Sequence, residues 1–172
     1  MELTVSEFAR AKQRYRQNQH DARRAAVANL EPHLQIKFQI TEWSHRSFDA
    51  IANQWKNTEF DWSEIRRRFR EPDQFEFAIW QGERLCGIGL ALTTGQSVKV
   101  KFVEGDPRLD CPLKGRRMLV ALEAIANYAQ ARGKKDIILE PLNEKLVDLY
   151  ENTFGFDVVR PRTGAVYCRK KV

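Results

Sequence analysis

Two rhythms alternate along this chain. From residue 34, apolar Leu34, Ile36, Phe38 and Ile40 are separated by polar neighbours, and Phe75, Phe77 and Ile79 repeat the pattern. A period of two puts every second side chain on one face, so residues 34–41 predict a first, half-buried strand and residue 75 opens another. Gln81-Gly82-Glu83-Arg84 and Thr94-Gly95-Gln96 carry turn chemistry on either side of residues 85–92, and Val98, Val100 and Phe102 alternate again. Three consecutive antiparallel strands are expected there. Gly87 and Gly89 inside the middle one mark a bulge or an unusually close approach. The rhythm then lengthens. Met118, Ala121, Leu122, Ile125, Ala126 and Ala129 recur as one face of a helix, with Gly133 as its stop. Asp136-Ile137-Ile138-Leu139-Glu140 reads as a short strand, Pro141-Leu142-Asn143 as a turn, and Leu146, Val147, Leu149 and Tyr150 as a helix. Residues 156–160 and 165–170 form a last hairpin around Thr163-Gly164.

The helical rhythm also governs the start. Residues 2–30 predict one long helix with a thin apolar stripe of Leu3, Phe8, Ala11, Tyr15, Ala22, Ala25 and Ala26 among many arginines, and Pro32 is expected to end it. So narrow a stripe buries little area, so this helix docks on the rest, pairs with a second copy, or stays free. A basic arm for nucleic acid is the sharper alternative. Two domains' worth of behaviour follows: a basic helical extension over 1–33 and a folded unit over 34–172. Between the first two strands, residues 44–71 predict two helices, one carrying Phe48, Ile51, Ala52 and Trp55, the other opening near Asp61 or Ser63 and carrying Ile65 and Phe69.

Composition narrows this picture. With 172 residues, 42% of them hydrophobic, the chain suffices for one catalytic domain with a genuine core. Cys86, Cys111 and Cys168 form no Cys-x-x-Cys pair and all three histidines precede residue 46, which suggests neither a disulfide framework nor a zinc site. The N-terminus has no signal-peptide core and no apolar run approaches a membrane span, so a soluble cytoplasmic protein is expected. The net charge of +6 favours anionic partners such as coenzyme phosphates, nucleic acid or an acidic protein surface, and disfavours polyamines. Residues 1–33 hold six Lys/Arg against four Asp/Glu, so most of the excess belongs to the folded unit.

Gly115 draws attention in the run Cys111-Pro112-Leu113-Lys114-Gly115-Arg116-Arg117, between the strand ending near Glu104 and the following helix. The first turn of a helix has unpaired N–H groups and a positive dipole end, so a glycine there admits a phosphate to the backbone, and Lys114, Arg116 and Arg117 add charge. A simple turn with solvated cations is the plainer reading. Downstream, Asn143-Glu144-Lys145-Leu146-Val147-Asp148-Leu149-Tyr150 is followed by Gly155-Phe156. Together these runs resemble the GNAT superfamily of acetyltransferases over roughly residues 75–170. The family has a Gln/Arg-x-x-Gly-x-Gly/Ala loop opening a helix and a later Asn-x-x-Ala-x-x-Leu-Tyr run ending in Gly-Phe. Pro112 and Arg117 depart from that loop, and Glu151-Asn152-Thr153-Phe154 adds one residue before Gly155.

The resemblance implies an α/β (α+β) fold: a central mixed, mostly antiparallel sheet of six to seven strands flanked by helices. It implies an N-acetyltransferase that uses acetyl-coenzyme A as acyl donor, needs no metal, and acts on a primary amine, a protein or peptide acceptor being slightly favoured. Tyr150 would be the general acid and Glu104 is the candidate base, with capping of the adjoining loop as the equal alternative for Glu104. Backbone groups of Phe102 and Val103 would orient the thioester. Lys114, Gly115, Arg116, Arg117 and Asn143 would hold the coenzyme, although Asn143 suits a turn role nearly as well. Trp55 and Trp62, with Phe60, would wall an acceptor groove, against the commoner fate of filling a core. Two other functions stand beside this one: a non-catalytic acyl-coenzyme A binding or regulatory module, and an acetyltransferase for a nucleic-acid-linked amine.

Overall fold

Thr4 opens the first helix. Its hydroxyl accepts the Glu7 N–H at 3.2 Å while the Glu7 carboxylate accepts the Thr4 N–H at 2.8 Å, a reciprocal cap that satisfies two orphan donors. The computed structural model describes residues 4–172; Leu3 and the expected start of the helix lie outside the described residues. Helix α1 spans Val5–Leu34 and runs through Pro32 rather than stopping there. A proline in the last turn disturbs few hydrogen bonds, and the helix instead ends at Gln35, which is left-handed at φ 56°. The first strand is shortened accordingly, to β1 (Gln39–Thr41).

Helices α2 (His45–Gln54) and α3 (Trp62–Arg68) follow, the latter capped by the Asp61 carboxylate on the Glu64 N–H at 3.1 Å. Strands β2 (Phe75–Gln81), β3 (Arg84–Thr94) and β4 (Ser97–Gly105) form the antiparallel centre. Then come α4 (Arg117–Ala131), β5 (Asp136–Leu139), α5 (Glu144–Asn152), β6 (Asp157–Val159) and β7 (Tyr167–Lys171). All seven strands join one sheet in the order β1-β2-β3-β4-β5-β7-β6, antiparallel throughout except for β4 beside β5.

Both expectations for the β3 glycines hold at once. Cys86 is an extra residue between the Ile79–Gly87 and Trp80–Leu85 pairs, which makes a bulge, and the Phe77 ring occupies the space a side chain at Gly89 would need.

Each face of the sheet carries its own core. On one, α1 lies antiparallel along α4. Ala22, Ala26 and Leu30 pack with Val120, Ala121, Ala124 and Ile125, and small residues let the helices approach closely. Arg23 is buried there with its guanidinium on the Glu76 carbonyl at 2.7 Å, and Asn29 reaches Glu123 at 3.1 Å. So residues 22–30 are part of the folded unit rather than an appended extension, and only the first turns of α1, with Val5 and Phe8 exposed, extend past α4. On the other face, α2 and α3 cover Trp43, Trp55, Trp62 and Trp80, all buried. No helix among the described residues is long and apolar enough to cross a membrane.

Candidate active site

Strands β4 and β5 start together and then part. Their parallel pairing runs only from Ser97–Asp136 to Val100–Leu139; β5 ends there while β4 continues to Gly105. A bulge sharpens the divergence. Leu90 pairs with Phe102 and Ala91 with Val100, leaving Lys101 as an extra residue. An inserted residue reverses the in–out alternation. Val98 and Val100 face the α4 core before it, whereas afterwards Val103 takes that side and Phe102 joins the aromatic face. Beyond Val100, the edge of β4 turned away from β3 has no strand partner, so alternate backbone N–H groups along it are open to a ligand.

Two recesses meet in the gap. One, of about 380 Å³, lies toward α4 and α5 and is bounded by Val103, Met118, Asn143, Leu146 and Tyr150. The other, of about 370 Å³, lies toward α3 and is bounded by Arg68, Phe69, Lys99 and Phe102. Phe60, Val100, Lys101, Glu140 and Leu142 belong to both. The cleft therefore passes from one face of the sheet to the other.

Tyr150 reaches the first recess because Asn143 fixes where α5 begins. The Asn143 side-chain oxygen accepts the Leu146 N–H at 2.9 Å, and Tyr150 follows two turns later on the inward face. Its ring lies 6.4 Å from Phe154 and 6.2 Å from Phe156, and its hydroxyl has no hydrogen-bond partner among the described residues. Burial pushes the phenol above its ordinary value, so it stays protonated at neutral pH. The added residue after Tyr150 is absorbed by a wide closure: Gly155 is left-handed at φ 72° and the Phe156 N–H returns to the Tyr150 carbonyl at 3.0 Å.

At the start of α4, Gly115 has φ 84°, a conformation open to glycine, and a side chain there would meet only empty space. The helix is capped by no side chain and has no acidic residue in its first turn, so its leading N–H groups and dipole remain free for an anion. Lys114 and Arg116 are exposed beside them, and Arg116 also reaches the Leu34 carbonyl at 3.4 Å. Arg117 turns the other way. Its guanidinium lies over Gly105 and donates to the Asp106 carbonyl at 2.6 Å, which fills the place a side chain at residue 105 would take. Asp106 itself is gripped by Arg84 at 2.8 Å and by Arg108 at 2.8 and 2.9 Å. Burial alone would raise its carboxyl, but the hydrogen bonds from Arg108 and Arg84 outweigh that and hold it below the usual range. The loop from β4 to α4 is thereby pinned at its first residue.

Three solved structures share this architecture. The ribosomal-protein-S18-alanine N-acetyltransferase from Escherichia coli superposes with a TM-score of 0.57 at 15% identity, covering 78% of this chain and 93% of that one. The GNAT domain of S. lividans PAT gives 0.59 at 13% identity, covering 78% and 90%. The PaiA N-acetyltransferase from Thermoplasma acidophilum, in complex with coenzyme A, gives 0.53 at 15% identity, covering 80% and 100%. The chain has the GNAT fold. No family model matches the sequence, and no curated protein matches it either, so the likeness lives in the backbone rather than in residue identities.

Within the GNAT fold, the acceptor-side expectations need correcting. Trp55 and Trp62 are each only 3% exposed and bound neither recess. Their indole N–H groups donate to the Leu85 carbonyl at 3.1 Å and to Glu104 at 2.8 Å, which ties both rings into the core. Of the three aromatics expected there, Phe60 does border both recesses, and Phe69 and Phe102 border one with it, Phe60 and Phe69 packing edge to face on Phe102 at 5.1 and 5.7 Å. Glu104 is buried and accepts the Glu59 N–H at 3.0 Å, the Phe60 N–H at 3.2 Å and the Trp62 indole. It bounds neither recess and fastens the loop that carries Phe60. The carboxylate that stands at the shared mouth is Glu140, at the end of β5, a residue the sequence pattern read only as strand. Lys99 donates to it at 2.8 Å and, with the charge of Lys101, holds its carboxyl below the ordinary value.

Proposed function

We propose that this protein is an N-acetyltransferase that moves an acetyl group from acetyl-coenzyme A to a primary amine, with a peptide or protein amine as acceptor. The observation that carries the reading is the cleft between β4 and β5, with the unpartnered Tyr150 hydroxyl on its wall. The free N–H groups at the start of α4, the open side of Gly115 and the cations Lys114 and Arg116 suit a diphosphate. Arg117 contributes by holding the loop at Gly105 and Asp106. The unpaired edge of β4 at Phe102 and Val103 suits a thioester carbonyl, whose oxygen gains negative charge during attack. Asn143 sets the start of α5 and hence the position of Tyr150.

Transfer then needs little more than positioning and two proton movements. The neutral amine attacks the thioester carbonyl carbon, the carbon–sulfur bond breaks, and the departing sulfur takes the phenolic proton of Tyr150. The proton lost by the amine passes to Glu140 or to water beside it, while Glu104 keeps the Phe60 loop in place. Two names among the structural relatives favour this reading: one acts on an alanine of a ribosomal protein, and another was solved with coenzyme A.

The test compares wild type with Tyr150→Phe for calorimetric binding of acetyl-coenzyme A and for thiol release over a panel of amines. Both are expected to bind, and only the wild type to turn over at full rate. Absence of binding overturns the proposal. Binding without turnover on any amine makes the protein an acyl-coenzyme A binding module instead.

A further inference from the structure

The recess toward α3 carries an uneven charge. Its cations are Arg68, Lys99 and Lys101, and its one carboxylate is Glu140. Lys99 and Glu140 neutralise each other across 2.8 Å. Arg68 and Lys101 lie within ion-pair distance of no carboxylate and donate no side-chain hydrogen bond among the described residues; the charge of Lys101 is felt at Glu140 only from farther off, and both cations are exposed. The rings of Phe69 and Phe102 line the same recess, with the Arg68 guanidinium 5.8 Å from the Phe69 centroid. Lys101 is the bulge residue of β4, so the feature that opens the cleft also delivers a cation to its mouth.

Two unmatched positive charges at an apolar recess have two consequences for an amine that enters it. Repulsion disfavours the ammonium form and so lowers the pKa of the incoming amine, raising the fraction of neutral nucleophile. The same repulsion weakens binding of any amine that brings no compensating charge. Both demands are met when the acceptor carries an anion a few atoms from its amine: the anion pairs with Arg68 and Lys101 while the nitrogen stays near Glu140.

Resting on the acetyltransferase reading, we infer that the acceptor is a peptide amino terminus with an acidic group on its second residue, a carboxylate or a phosphate, received by Arg68 and Lys101. The volume of about 370 Å³ suits one or two residues. The unmatched cations of the recess are two at one mouth, and α1, whose arginines other than the buried Arg23 face outward, packs on the opposite face of the sheet.

Amidated dipeptides separate the cases: Ala-Glu, Ala-phosphoserine, Ala-Gln and Ala-Lys. Binding is followed by NMR at the Lys101 amide and the Arg68 Nε–H in the whole protein, with and without coenzyme A, and turnover by thiol release. The acidic peptides are expected to move both signals and to exceed Ala-Gln in kcat/KM by about tenfold, mostly through KM, with Ala-Lys slowest. Comparing Ala-Glu with Ala-phosphoserine assigns the anion. In Arg68→Gln and Lys101→Gln, the ratio of acidic to neutral acceptor is expected to collapse toward one. Equal signal shifts for Ala-Gln, an unchanged ratio in both variants, or tighter binding of an amine-bearing oligonucleotide would overturn the inference. Selective shifts with acidic peptides in the absence of any turnover would uphold the recognition of the acidic group by Arg68 and Lys101 and count against acetyl transfer alone.

Discussion

The two recesses share a mouth but are built by different rules. The one toward α5 is made from the ends of elements: the unpaired edge of β4, the uncapped start of α4 and the Asn143 cap that sets Tyr150. The one toward α3 is made from side chains that meet from three distant segments, Phe60 and Phe69 around α3, Phe102 and Lys101 on β4, and Glu140 after β5. Backbone and helix ends are fixed by the fold whatever the surrounding sequence, so the first recess is common property of the architecture. The second depends on which side chains meet there, and it is the recess to which the proposed acceptor preference is assigned.

The sharpest way to break that comparison is Tyr150→Phe. It deletes one oxygen from the first recess and leaves the packing against Phe154 and Phe156 intact. A general acid contributes typically a hundredfold to ten-thousandfold, so kcat for acetyl transfer should fall about a thousandfold, with binding of acetyl-coenzyme A unchanged by calorimetry. A drop under fivefold would remove Tyr150 from the chemistry.

Next comes a test of the wall between the recesses. Glu104→Ala leaves the Glu59 and Phe60 N–H groups and the Trp62 indole without their acceptor in a buried place. Unsatisfied buried donors cost roughly 1–3 kcal/mol each before water relaxes the site, so urea unfolding should register a loss of about 3 kcal/mol. The peptide KM should rise because Phe60 is released, whereas the affinity for coenzyme A should hold. If Glu104 instead receives the amine proton, Glu104→Gln, whose amide oxygen still accepts from Phe60 and Trp62 while its NH2 faces the Glu59 N–H, will lose kcat despite a smaller loss of stability than in Glu104→Ala.

The pattern of the chain conveyed the first recess far better than the second, for a physical reason. Helix faces and strand alternation are local periodicities, so α4, α5, β2, β3 and β4 were readable, and Gly115 and Asn143 stand where turn chemistry demands them. The bulge at Lys101 is a register relation between two strands and has no local signature. Nor does an aromatic residue announce whether it fills a core or lines a groove. Trp62 and Phe60 are two residues apart, yet one indole is locked on Glu104 and the other ring borders both recesses. Glu140 was hidden for the same reason: its importance comes from β5 stopping while β4 continues. Docking of α1 stood as one of three fates, because its alanine-rich stripe looks too thin to bury area until α4 supplies an equally small-residue face.

A smaller effect is expected at Gly115→Ala. A left-handed conformation costs a side-chain-bearing residue about 1–2 kcal/mol, and open space around the position means that strain rather than collision sets the penalty. Thermal unfolding should report that loss, and the dissociation constant for coenzyme A should weaken by no more than about tenfold, since the helix N–H groups themselves remain. A hundredfold weakening would mean that the glycine's own backbone carries the contact.

The finest distinction lies at Glu140, where the two recesses join. Lys99 donates to its carboxylate and is the largest influence holding that carboxyl below its ordinary value, against a smaller opposing effect of burial. A base must be deprotonated to act, so if Glu140 receives the amine proton, activity falls as pH drops through its lowered pKa. Lys99→Gln removes the charge that favours the ionised form, and the carboxyl rises toward the usual range for glutamate. Ionisation of the amine sets one acid limb of kcat/KM in every variant; the second limb, at lower pH, should move to higher pH in Lys99→Gln and disappear in Glu140→Gln. A second limb that stays in place in Lys99→Gln would assign the proton to water and leave Glu140 a role in positioning alone.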